Sequence, residues 1–236
     1  MLVEDSVAKP KTSVKKLLTI GLFAGISVLA LLFVARVIWK NSGSNQWELI
    51  GEKNGAKVYS LKEPGADLKQ FKFVVRVHSS LSGVVKWLQD PDTCNDIGCY
   101  ESKILERVDD QLQYVYFRFN LPRPFRVREY VLSVNVHQDP ATGEVWVDFA
   151  AAPHKAPPND CCFRVTHMNN TWKLTPLKNG EVEAEYVINV NEGGFIPDML
   201  LNNGRPAYLF LQLAKLQGYL NREKYQTGKL DFIREE

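Results

Sequence analysis

The chain has little of what most catalytic and metal sites are made from. Its 236 residues include 4 histidines, 4 cysteines and 3 methionines. His78, His137, His154 and His167 stand far apart without metal-ligand spacing, so no metal is expected. Cys94 and Cys99 are five positions apart and Cys161 and Cys162 are adjacent, which leaves neither a zinc-type Cys-x-x-Cys pair nor a redox motif. A Gly-x-Ser-x-Gly nucleophile elbow is missing too. Charge of one sign is also scarce: 29 Lys and Arg against 27 Asp and Glu leave a net charge of +2, with the basic residues dispersed. No nucleic acid is expected as a partner, because its affinity needs a cluster of phosphate contacts. No segment recurs with the period of roughly 20 to 50 residues that marks a repeat architecture.

What is present is 45% hydrophobic and 24% charged, enough for one globular core of ordinary size. Ahead of it runs an uncharged stretch of nineteen residues, Leu17 to Ala35. At 1.5 Å rise per residue it spans roughly 28 Å, close to the ~30 Å hydrocarbon core of a bilayer. A buried core helix is disfavoured because no polar face interrupts the run. A cleaved signal peptide is disfavoured by the length, although Val28-Leu29-Ala30 keeps cleavage open. The expected organisation is a cytoplasmic tail at 1–16, a membrane span at 17–39, a flexible linker at 40–45, a globular domain at 46–222 and a tail at 223–236. Lys9, Lys11, Lys15 and Lys16 precede the span, against Arg36 and Lys40 after it. That bias places the amino terminus in the cytoplasm and the domain outside it, with the periplasmic face of a bacterial inner membrane as the first expectation. Trp39 falls where an aromatic-belt residue would anchor the helix end.

Within the domain, Trp47 to Tyr59 is expected as a helix or turn entering a strand, with Asn54-Gly55 as a hairpin signal. Strands are expected at Phe71–His78, 102–108, 113–119, 129–137, 145–150, 163–174 and 181–190. Ser79-Ser80 caps a helix carrying Val84, Val85, Trp87 and Leu88 that stops at Asp90-Pro91. Alternation sorts the faces. Val115, Phe117, Phe119 and Leu121 share one side, Tyr130, Leu132, Val134 and Val136 another, and Glu181, Glu183 and Glu185 alternate with Val182, Ala184 and Tyr186. A sheet with one covered face needs a cover, and the 205–220 segment supplies it. Leu209, Leu213, Leu216 and Leu220 form a helical stripe, Phe210 and Leu211 broaden it, and Pro206 is placed in the first turn.

Three motifs occur in order: Leu121-Pro-Arg-Pro-Phe-Arg-Val-Arg-Glu-Tyr-Val131, Trp172-Lys-Leu-Thr-Pro-Leu177 before Asn179-Gly180, and Gly193-Gly-Phe-Ile-Pro-Asp-Met-Leu-Leu-Asn202. Together they resemble the START domain, the lipid-transfer module related to steroidogenic acute regulatory protein. Arg123 stands where the family has a Trp, and Glu129 where it has Asp. The resemblance implies an α+β helix-grip fold: a curved antiparallel sheet around a long carboxy-terminal helix, here behind one transmembrane helix. It also implies a tunnel for one lipid with that helix as lid. The tunnel-lining candidates are Val115, Phe117, Phe119, Tyr130, Leu132, Val134, Phe149, His167, Ala184, Tyr186, Ile188, Leu209 and Leu213.

Some family members meet a ligand hydroxyl or carbonyl with an acid and an arginine inside the tunnel. The corresponding positions here are the apolar Val115 and Val134, so polar recognition is expected from Tyr130, Tyr186, His167 or groups at the tunnel mouth. Arg118 and Arg128 are expected on the outer face in ion pairs. The implied partners are a hydrophobic ligand and a membrane, with no cofactor and no catalysis. Two other classes stay open: an aromatase/cyclase or hydrolase on the same scaffold, and a tethered interaction domain with a filled core. The cysteines are expected as buried thiols; in an oxidising compartment, a bridge between Cys94 and Cys99 or one to the adjacent pair is open. Asn169-Asn-Thr171 is a glycosylation sequon, relevant only in a eukaryotic secretory pathway.

Overall fold

The computed structural model describes residues 14–53 and 55–235. Lys9, Lys11 and Asn54, used above for orientation and for the hairpin, lie outside the described residues. The amino-terminal helix α1, Val14–Asn41, carries no buried residue and is long and apolar enough to cross a membrane. It forms a compact unit with the 64–67 turn. In that unit the Gly65 N–H donates to the Lys40 carbonyl at 2.7 Å, and the Trp39 indole N–H donates to the Asp67 carbonyl at 3.0 Å.

The second unit holds everything else. Strands β1 (Glu48–Lys53), β2 (Ala56–Leu61) and β3 (Gln70–His78) lead into helix α2 (Leu81–Gln89) and a 3-10 turn at Pro91–Asn95. Then come β4 (Cys99–Arg107), β5 (Leu112–Phe119), β6 (Arg128–Gln138), β7 (Val145–Ala151), β8 (Phe163–Arg164), β9 (His167–Leu177), β10 (Glu181–Ile188) and β11 (Val190–Asn191). Helices α3 (Asp198–Leu220) and α4 (Glu223–Gln226) close the chain. The sheet order is β1-β2-β3-β10-β9-β7-β6-β5-β4, antiparallel along that path, while β11 pairs with β9 and β8 pairs in parallel with β6. This is the helix-grip arrangement: the inner faces of the strands and the Leu213, Leu216 and Leu220 stripe of α3 share one hydrophobic core.

Local chemistry explains the elements and several departures from expectation. Ser80 caps α2, its hydroxyl accepting from the Gly83 N–H at 3.0 Å. Strands β1 and β2 pair antiparallel, in line with the hairpin signal, where the helix or turn expected ahead of a strand is itself a strand. The expected strand over 163–174 is broken at Val165-Thr166, so its halves join different neighbours. Helix α3 starts seven residues before Arg205, which puts Pro206 inside it rather than in its first turn. Pro197 ends the extended run before it and leaves the next residues free to coil. Leu211 is 64% exposed and does not broaden the buried stripe, whereas Phe210 packs over Gly51.

The two segments expected to be loose are tied down. Gly43, at φ +123, lies so close to the Lys62 carbonyl that a Cβ would meet it at 2.2 Å, and the Asn45 N–H donates to that carbonyl. At the other end, Tyr225 and Ile233 are buried in the core, and the Glu235 carboxylate accepts from the Leu81 and Ser82 N–H groups opening α2.

Candidate functional site

The sheet and α3 do not close on each other completely. Between them lies a cavity of about 720 Å³, walled by β5, β6, β7, β9, β10 and β11 on one side and by α2 and α3 on the other. Leu121, Pro122 and Phe125 of the proline corner, Ile196, Leu200 and Leu201 at the start of α3, the turn after α2 through Ile97, and Cys99 and Ser102 of β4 also contribute to the lining. Strand register places its aromatic rings. Phe117 sits opposite Tyr130 and Trp172 opposite Tyr186, and both pairs stack, with centroids 4.8 and 4.4 Å apart. Trp87 meets Trp172 edge-on, and Phe119 meets Tyr208 of α3 in the same manner.

Val115, Phe117, Phe119, Tyr130, Leu132, Val134, Phe149, Tyr186, Ile188, Leu209 and Leu213 all line this cavity. Ala184 does not: it is buried against its register partners Val75 and Leu174, where the core is filled. His167 does not either. Asn170 and Trp172 line the cavity, so the period of two puts His167 on the outer face, exposed and bonded to the Thr166 hydroxyl.

The polar part of the lining is small; it includes the expected Tyr130 and Tyr186 and, beyond them, positions the sequence does not single out. Arg205 of α3 and Glu192, just after β11, form an ion pair with side chains 10% and 12% exposed, and Arg205 also donates to the Val190 carbonyl. Burial pushes the Tyr130 hydroxyl pKa up, helped by the Glu192 charge and opposed by Arg205. Tyr186 is pushed up to about 12 by burial, against the hydrogen bond it accepts from the Asn170 amide. Two buried lining atoms, Trp87 Nε1 and Gln212 Oε1, have no hydrogen-bond partner among the described residues. Sequence pattern does not single out Glu192 and Arg205, because they lie 13 residues apart across the Gly-Gly turn and Arg205 sits two turns inside α3 rather than at its start. Pairing of acid and base across a glycine turn into a helix is the signal that could have found them.

Arg118 pairs with Glu101, as an outer-face residue should. Arg128 does not: it is 2% exposed, lies over the Phe163 ring and donates to the carbonyls of Arg126 and Gly193. The expectation of an ion pair fails because Glu129, its neighbour, points to the opposite face and is taken by Arg164. Cys94 is joined to Cys99 and Cys161 to Cys162. Among the described residues no group of three or more His, Cys, Asp or Glu is placed to hold a metal.

No protein-family model matches the chain. An uncharacterized protein of Pseudomonas aeruginosa is 27% identical over 165 residues, covering 69% of this chain and 81% of that one. The crystal structure of a STAR-related lipid transfer protein from Xanthomonas axonopodis superimposes with a TM-score of 0.68 at 26% identity, over 75% of this chain and 99% of that one. The lipid transfer and protein localization domain of human StarD13 gives 0.66 at 16% identity, over 82% and 96% of the two chains. The fold is therefore that of the STAR-related lipid transfer domains, in agreement with the three ordered motifs.

Proposed function

We propose that this START-fold chain is a membrane-anchored lipid-binding protein that holds one hydrophobic ligand in the cavity beneath α3. The observation that carries the proposal is the cavity itself, about 720 Å³ of mainly apolar and aromatic wall. At roughly 30 Å³ per water-sized group it takes about two dozen non-hydrogen atoms, one long chain or one fused-ring lipid. A two-chain phospholipid has about twice that. The lining contributes neither a histidine nor a free thiol among the described residues, which favours carriage over catalysis.

Energetics assign the protein a kinetic task. Each buried methylene is worth about 0.8 kcal/mol relative to water, but the bilayer supplies the same, so transfer between bilayer and cavity is nearly balanced. What the fold adds is shielding and a gate. The C-terminal half of α3 is fastened: Tyr219 donates to the Asp96 carbonyl at 3.0 Å, and Arg222, just past its end, makes a two-pronged pair with Asp96. The N-terminal half follows Gly193 and Gly194, both at positive φ, and leaves Met199 69% exposed. Opening by this half, with Gly193 and Gly194 as hinge, exposes the cavity between the proline corner and α3. With α1 as the anchor, lysine bias puts the domain outside the cytoplasm, on the periplasmic side of a bacterial inner membrane. The short connection to the domain favours extraction or hand-off at that surface over long-range shuttling.

The test is lipid extraction and mass spectrometry on the full-length chain purified from its membrane, beside a Leu209→Trp variant whose indole fills the cavity. One lipid class enriched near one per chain in the wild type and depleted in the variant is expected. Identical lipid profiles in the two proteins would overturn the proposal.

A further inference from the structure

The charges at one end of the cavity do not cancel. Strand β6 turns one row inward, Arg128, Tyr130, Leu132 and Val134, because side chains on one face of a strand recur every two residues, about 7 Å. Tyr130, Leu132 and Val134 line the cavity, and Arg128 ends the row. The Arg128 guanidinium is held against the turn ahead of α3: it donates to the Gly193 carbonyl at 2.8 Å, and a Cβ on Gly194 would come within 3.1 Å of it. One residue before Gly193 stands Glu192, which lines the cavity and pairs with Arg205. The end of β6 and the Gly-Gly turn thus gather Arg128, Tyr130, Glu192 and Arg205 in one place.

Two guanidinium groups meet one carboxylate there. Arg128 is 2% exposed, has no ion pair among the described residues, and its Nε–H is buried without a partner. Arginine does not shed its proton inside a protein, and a buried charge left uncompensated is costly. Glu192 is the one acid whose charge acts on Arg128 and on Tyr130, and it is already committed to Arg205. Two donors on the cavity wall remain for a ligand. The Tyr130 hydroxyl has no hydrogen bond among the described residues. Arg205 directs Nε and Nη2 to Glu192 and the Val190 carbonyl, which leaves Nη1.

We propose that the ligand is a single-chain lipid headed by one carboxylate, a long-chain fatty acid, whose head accepts from Tyr130 and Arg205 and balances the charge of Arg128. This rests on the lipid-cavity proposal and narrows it. The head is an anion because Glu192 cancels only one of the two guanidinium charges; a neutral head leaves the other uncompensated, and an ammonium adds to it. It is a carboxylate because the excess is a single charge, whereas a phosphate monoester carries about −1.5 to −2. It bears one chain because a volume of about 720 Å³ takes roughly two dozen non-hydrogen atoms, which a long-chain acid fits and a two-chain lipid exceeds.

The experiment measures binding of hexadecanoate, hexadecanol and hexadecyl phosphate to the full-length chain in nanodiscs of uncharged lipid, with uptake by empty nanodiscs subtracted. It is run at about pH 8.5, so that the carboxyl group is ionised even where the membrane raises its pKa. The expected result is that hexadecanoate binds about tenfold more tightly than hexadecanol, as one charge-assisted hydrogen bond provides, and more tightly than hexadecyl phosphate. Arg128→Gln should bring the acid-to-alcohol ratio close to one. Tyr130→Phe, which keeps the ring stacked on Phe117, should lower it roughly threefold. Glu192→Gln shifts the charge balance the other way and should raise it. Should Arg128→Gln fail to fold, the opposite shifts of Tyr130→Phe and Glu192→Gln carry the test. Hexadecanol or hexadecyl phosphate bound as tightly as the acid overturns the carboxylate head and leaves the lipid-cavity proposal standing. A ratio that falls in Glu192→Gln overturns it as well. Uptake of none of the three compounds overturns both proposals together.

Discussion

Glu129 is 1% exposed on β6, and its charge is met from two sides: by the Arg164 guanidinium and by the Tyr116 hydroxyl, which donates at 2.8 Å. Arg164 also donates to the carbonyls of Pro153, Ala156 and Pro157, so one side chain both neutralises a buried acid and fixes a loop. Removing one partner of such a pair strands the other charge. Arg164→Met is expected to cost about 3 to 5 kcal/mol, and Tyr116→Phe about 1 kcal/mol, in urea denaturation. Equal, small losses would show that the Glu129 charge is relieved by water instead. Asp90 offers a pH test. Burial pushes its carboxyl up, but hydrogen bonds from Lys224, the Asp92 N–H and Tyr225 outweigh this and hold it below the usual 3.8. A lowered folded value means its stabilisation is present above the unfolded pKa of about 4 and fades as pH falls through the folded value. Asp90→Asn should therefore lower Tm at neutral pH, with the gap to wild type shrinking in acid below about pH 4. A constant gap down the whole titration would rule out the carboxylate charge as its source.

At the scale of elements, the Gly193-Gly194 turn ahead of α3 is a demanding piece of backbone. Gly193 sits at φ +62, and a Cβ there would meet the Phe163 ring at 2.3 Å. Gly193→Ala is expected to destabilise by about 1 to 3 kcal/mol, and to raise hydrogen exchange first in the N-terminal half of α3, the segment that follows the turn. Uniform exchange changes across the sheet would argue against a hinge. The strands themselves were legible because a sheet with one covered face writes its period into the side chains, as in Glu181 to Tyr186. The start of α3 was not, since Pro206 tolerates a helix interior only when tertiary contacts such as Arg205 with Glu192 and Asn202 with the Lys69 N–H hold the turn before it.

For the whole molecule, the separation into an apolar helix unit and a sheet unit predicts separable behaviour. A chain beginning at Gly43 should remain soluble after cell disruption and unfold cooperatively, while the full chain sediments with membranes and resists carbonate extraction. A full-length chain recovered in the soluble fraction would sink the anchor. Leu209→Trp should leave the unfolding midpoint of the sheet unit unchanged or higher, because its added bulk enters free volume rather than a filled core. A large loss of stability would mean that the cavity is already occupied by protein in solution.

The sequence by itself determined the apolar helix, the antiparallel strands with their inner and outer faces, and the covering helix. Each of these is a periodic or compositional property of a contiguous segment. Its ordered motifs also carried the family resemblance, and so the idea of a tunnel. Only the tertiary structure decided which residues line the cavity. His167 falls on the outer face after a strand break, Ala184 lies under filled core, and Arg128 is buried against the Gly193 carbonyl. The polar contacts of the cavity, Glu192 with Arg205 and the unmet atoms of Trp87 and Gln212, join segments whose meeting depends on how α3 lies against the sheet. Local pattern fixes which way a side chain points within its own element; what stands opposite it is a matter of packing, and packing is settled by the whole chain at once.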